Sequence, residues 1–113
     1  IEATFAKAHI ASYEQQLGSS NFNKELYGNG PVTRPGVKYT IIEGRYDDTV
    51  VPFTNAFLHE PGVKNILVQD TCRNDHASHV NFTYDVNVYQ MAVNALDPDH
   101  AQPVTCVPQP FIG

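Results

Sequence analysis

Apolar residues recur at three- and four-residue steps from Glu2 to Leu17, where Phe5, Ala8, His9 or Ser12, Tyr13 and Leu17 share one side of a helix that Gly18 ends. Ser19 and Ser20 offer a cap for a second short helix reaching about Tyr27. From Gly28 to Gly36 no period survives, and the turn signals Asn29-Gly30-Pro31 and Arg34-Pro35-Gly36 mark a loop. Val37 to Glu43 (VKYTIIE) and Val63 to Gln69 (VKNILVQ) carry central apolar runs, the pattern of parallel strands covered on both faces. Between them Val50 to Leu58 reads as a short helix. Tyr84 to Leu96 reads as a longer one, with Val86, Tyr89, Val93 and Leu96 at helical steps.

Strand, helix, strand, helix with short connections predicts the α/β class: a right-handed βαβ unit in a parallel sheet, followed by a helix packing back on one face. Two strands alone leave long unpaired edges, so the pattern implies further strands that this chain does not contain. The tail from Asp97 holds four of the eight prolines and is expected as an extended strap, tied down near its end by Cys106. The expected layout of the 113 residues is therefore one domain segment, with a helical and loop part at 1–36, the βαβα part at 37–96 and the tail at 97–113.

Composition narrows the function. Apolar residues make up 42% and charged residues 17%, which excludes a charge-driven disordered chain. A net charge of −5 gives no electrostatic basis for binding nucleic acid. The longest apolar runs, such as Ile66-Leu67-Val68, fall far short of a membrane span. The start at Ile1 shows neither an initiator Met nor a secretory signal, so a processed chain or a fragment is expected, the fragment being favoured. Two cysteines, Cys72 and Cys106, without a Cys-x-x-Cys pair read most simply as one disulfide in an oxidising compartment, with two buried thiols as the alternative.

Ligands of open α/β sheets bind beyond the carboxyl ends of the strands. The loop after the first strand presents Asp47 and Asp48; the loop after the second presents Asp70, Asp75, His76 and His79. An acid and a base from neighbouring strand ends can form the Asp–His part of a triad, in which the carboxylate orients the imidazole and stabilises its cation. Asp48 and Asp75 read as solvated loop charges near Arg45 and Arg73, His9, His59 and His100 as surface residues, and Tyr84 and Tyr89 as packing residues. Asp70, Cys72, Asp75, His76 and His79 also hold metal-ligand types, a weak signal because a cysteine in a disulfide cannot ligate zinc. No metal or other cofactor is expected.

The segment Tyr39 to Pro52, YTIIEGRYDDTVVP, resembles the acid loop of secreted bacterial and fungal triacylglycerol lipases of the α/β-hydrolase superfamily, where a strand is followed by Asp-x-x-Val. NILVQDTCRNDHASHVNFTYD is similar to their base loop, and YEQQLGSSNFNKEL and NALDPDHAQPVTC also look like stretches of these enzymes. The resemblance covers nearly the whole chain. It implies that Asp47 is the triad acid, that His79 rather than His76 is the base, and that Cys72 pairs with Cys106. It further implies a secreted, extracellular hydrolase acting on lipid or other esters, with contact to lipid surfaces.

Two departures qualify this. Asn81 stands where the family has Gly, and it opens a glycosylation sequon, Asn81-Phe82-Thr83. No Gly-x-Ser-x-Gly elbow occurs, and in the family it lies N-terminal to the region matched here. The chain is thus expected as the C-terminal portion of the enzyme, inert alone, with a companion N-terminal polypeptide supplying the serine. The alternative from another class is a non-catalytic secreted binding module that uses its exposed sheet edge.

Overall fold

The computed structural model describes residues 10–113 of a chain that divides into two units, 1–37 and 38–113. In the first unit, helix α1 spans Ala11–Gln16 and α2 spans Asn21–Tyr27. The part of the expected first helix before residue 10, with His9, lies outside the described residues. Ser20 caps α2: its hydroxyl accepts the Asn23 N–H at 3.1 Å and donates to the Gln15 carbonyl at 2.8 Å. Gly28, at φ 58°, ends the helix in a conformation that favours glycine. Neither helix buries a residue.

The second unit is a small mixed α/β arrangement. Strands β1 (Tyr39–Glu43) and β2 (Val63–Leu67) pair in parallel, from Tyr39 opposite Val63 to Glu43 opposite Leu67. β2 ends two residues earlier than expected, because Val68–Thr71 form one helical turn, α3. Helix α4, Val86–Leu96, starts at Asp85, whose carboxylate caps the Asn87 N–H at 2.7 Å. The core is Val68, Cys72 and Met91, with Ile42, Ile66, Phe82, Val88 and Val104 packed against it.

Several expectations are corrected. The segment 50–58 forms a single 3₁₀ turn, Phe53–Ala56, so the strands are joined by an irregular loop. Pro52 and Pro61 bracket it, and Asn65 holds Leu58 in place, its side chain accepting the Leu58 N–H at 3.3 Å and donating to the Leu58 carbonyl at 2.8 Å. The strands are only partly covered, since β2 exposes Lys64 and Asn65 and β1 is half-buried up to Glu43.

α4 also buries a different face from the one its spacing suggested. Tyr89 is 69% and Leu96 86% exposed, and Val86 and Val93 are exposed too, while Asn87 and Met91 point inward. The helix is apolar on more than one side, and polar contacts choose the orientation. The Asn87 side chain donates to the Val107 carbonyl and accepts the Val107 N–H, both at 2.8 Å, and so fixes α4 to the tail. Tyr84, expected in packing, is exposed as well.

The tail runs extended apart from a 3₁₀ turn at Pro98–His100, where His100 Nδ1 lies 3.0 Å from the Asp97 carboxylate, a partner its spacing did not suggest. Cys106 forms a disulfide with Cys72, 34 positions away. Gln109 makes a parallel bridge with Asp75, its N–H donating to the Asn74 carbonyl and its carbonyl accepting the His76 N–H. Closing a loop of this length stabilises the fold by about 3–4 kcal/mol through the unfolded chain's entropy. Replacing both cysteines by alanine should remove stability of that order, measured as the loss of unfolding free energy in urea.

Candidate active site

Parallel pairing ends β1 and β2 at the same edge, and the two loops that follow meet there. Gly44 begins the first. It is buried, and a side chain on it would press against the Phe82 ring, a Cβ falling 2.9 Å from Cε2. The Asp47 N–H closes a turn onto the Gly44 carbonyl at 3.2 Å, so Asp47 faces the second loop. One carboxylate oxygen of Asp47 accepts the Thr49 and Val50 N–H groups, both at 2.7 Å. Its other oxygen lies 2.8 Å from His79 Nδ1.

The structure therefore brings Asp47 and His79 together. Asp47 is enclosed, its side chain 5% exposed, whereas the His79 ring is 48% exposed. With Nδ1 turned to the carboxylate, Nε2 is the nitrogen left for a proton-exchanging partner, and no hydrogen bond of the described residues occupies it. Burial alone would raise the Asp47 carboxyl; hydrogen bonds from His79, Val50 and Thr49 outweigh it and hold the group below the usual aspartate range. Glu43 sits beside Asp47, and its carboxyl is raised, chiefly by burial and further by the neighbouring negative charge, against the pull of the Gly44 N–H at 2.7 Å.

The other candidates do not join the Asp47–His79 side-chain contact. His76 packs its ring edge-on against Tyr46, with centroids 4.6 Å apart. Asp48 is exposed as expected, yet one of its oxygens accepts the His79 backbone N–H at 3.3 Å. Asp75 corrects the expectation of a solvated charge, since it is fully buried, with its oxygens accepting the Ala77 N–H at 3.0 Å and the Asn87 amide at 2.8 Å. Among the described residues no three His, Cys, Asp or Glu side chains form a group that could hold a metal.

Three amides hold this arrangement, and of these the sequence singled out Asn81 alone, as a sequon and a departure from the family's glycine. Buried Gln69 accepts the Arg45 N–H at 2.8 Å and donates to the Asp75 carbonyl at 2.9 Å, which ties the acid loop to the base loop. Asn81 accepts the Ser78 N–H at 2.7 Å and donates to the Pro110 carbonyl at 3.0 Å. The nitrogen that a glycan would need is thus buried and bonded. Asn87 completes the set by joining α4, Asp75 and the tail.

Comparisons with protein-family models and with curated proteins find no match for this chain.

In the variant His79→Ala, burial loses the bond that opposes it, so the Asp47 carboxyl should titrate at higher pH, read by ¹³C NMR. In the intact pair, the stabilisation from Asp47 is present above the ordinary aspartate value and is lost as pH falls through the lowered one. Gln69→Leu leaves an N–H and a carbonyl without partners and should cost about 1–3 kcal/mol in urea unfolding.

Proposed function

We propose that this chain is the acid–base part of a secreted serine ester hydrolase of the lipase type, with the α/β-hydrolase fold completed by a companion N-terminal polypeptide. The observation that carries this reading is the 2.8 Å contact between enclosed Asp47 and half-exposed His79 at the ends of adjacent parallel strands. Asp47 fixes the tautomer with the proton on Nδ1, leaving Nε2 to take the proton of a serine as it attacks an ester carbonyl and to return it to the leaving alcohol. The Asp47 charge stabilises the imidazolium between these steps.

The serine comes from elsewhere in this reading. Ser78 is the serine of residues 38–113, and it is fully buried, with its hydroxyl engaged by Asn81 at 2.9 Å and by the Ile112 carbonyl. The open sheet and the exposed Val86, Tyr89, Val93 and Leu96 on α4 are surfaces for the companion polypeptide to cover, and exposed aromatic residues suit contact with a lipid surface. The Cys72–Cys106 disulfide supports an oxidising, extracellular setting. No helix of the described residues is long and apolar enough to cross a membrane.

The second reading, a binding module, is favoured by one observation: each strand of the two-stranded sheet has an edge without a strand partner among the described residues. The full gene product separates the two. It should form a serine adduct with a fluorophosphonate probe and cleave p-nitrophenyl esters, and Asp47→Asn should lower kcat by on the order of 10³–10⁴-fold. His79→Ala should abolish adduct formation. A full-length protein without adduct or turnover points to the module instead.

A further inference from the structure

Behind the base loop lies a second pair of acids that the proposed chemistry does not use. Asp75 and Asp85 are 0% and 1% exposed. Asn87 links them, its side-chain amide donating to Asp75 at 2.8 Å and its backbone N–H to Asp85 at 2.7 Å. Asp85 Oδ1 is spent on capping α4, while Oδ2 is buried with no hydrogen-bond donor assigned to it. Two carboxylates without a cation between them cannot both stay charged in such a place without a large desolvation cost. A proton on Asp85 Oδ2 answers both difficulties, since it neutralises one acid and gives that oxygen a hydrogen to donate to Asp75.

We propose that Asp75 and Asp85 share one proton as a latch, locking the base loop and the C-terminal tail onto the start of α4 while the proton is present and loosening them when it leaves. The latch sits where the three elements meet. Asp75 belongs to the base loop and is bridged to Gln109 of the tail, Asp85 caps α4, and Asn87 holds Val107. The charged group acting on Asp85 is Asp75. The ionisable residues next in sequence, His76 and Tyr84, are exposed, and α4 and the tail contribute amides at the contact. Burial first, and the Asp75 carboxyl second, push Asp85 up to about 6 from an ordinary 3.8.

The folded state holds the proton more tightly, so the latch is strongest below the ordinary aspartate value, weakens as pH rises to about 6, and is constant above that. Only the effect on catalysis rests on the proposed role of His79. The latch itself is read on this chain without any substrate, so failure of the ester assay and failure of the latch are separate results.

The test is amide hydrogen exchange at Val107 and Gln109, whose N–H groups bond Asn87 and Asn74. After correction for intrinsic rates, their protection should fall by on the order of 100-fold between pH 4 and pH 7.5. Asp85→Asn keeps a cap and carries a neutral donor, so it should hold protection level across that range; Asp75→Asn, which removes the repelling charge, should flatten the profile as well. Equal slopes in wild type and Asp85→Asn would overturn the latch. Should the variants fail to fold, the ¹³C titration of Asp85 in the wild type decides: a midpoint near 6 upholds the proposal and one near 4 ends it.

Discussion

Everything at the candidate site depends on the parallel pairing of β1 with β2. An antiparallel pair would put the ends of the two strands at opposite edges, whereas a parallel pair delivers both chains to one edge, each with a free loop. With Glu43 opposite Leu67, the turn closed by Gly44 and the helical turn from Val68 leave that edge side by side. Residues 32 positions apart in sequence then need only short loops to meet, and Asp47 and His79 do.

What holds the loops in place is mostly polar. Among the described residues the buried apolar side chains are Val68, Cys72, Ala77 and Met91, while the buried polar ones are Glu43, Gln69, Asp75, Ser78, Asn81, Asp85 and Asn87. Hydrophobic burial is non-directional and tolerates sliding, but a hydrogen bond at 2.7–2.9 Å fixes a distance and an angle. This imbalance fixes the separation of Asp47 and His79 more tightly than apolar packing would. It also makes the region intolerant, because a buried amide stripped of one partner costs more than the bond it made.

The strands, both capped helices and the two loops were legible in the sequence, because β-branched runs, Ser20 and the turn residues act locally. The loops behind the predicted strands showed that an acid and a base could meet, and the resemblance to lipases, not the spacing, singled out Asp47 and His79. The supporting network was not. Gln69, Asp75, Asn81, Asp85 and Asn87 are polar residues in or beside loops, and nothing local distinguishes a polar side chain that faces water from one that bonds a distant backbone. The tail creates that distinction, since Val107, Gln109 and Pro110 cover the base loop only after the chain has returned. α4 was misjudged for the same reason, its apolar stripe being overruled by Asn87 reaching the tail. The 50–58 segment lost its helix to Pro52 within it, to Pro61 beyond it and to Asn65, which reaches back to Leu58 from β2.

The internal bonding bears on how such a site would be assembled. Each bond that positions Asp47 and His79, from Gln69, Thr49, Val50 and Asp48, comes from within residues 38–113. The acid–base pair is therefore set before any nucleophile arrives, and an incoming serine would meet an imidazole whose tautomer is already fixed. Preorganisation of this kind moves the cost of ordering from the reaction step to folding. The folding side bears that cost visibly, in buried carboxyls at Glu43 and Asp85 that are raised above their ordinary range. A unit built for stability alone would replace those acids with apolar side chains. Keeping them leaves raised carboxyls beside the loops that carry Asp47 and His79.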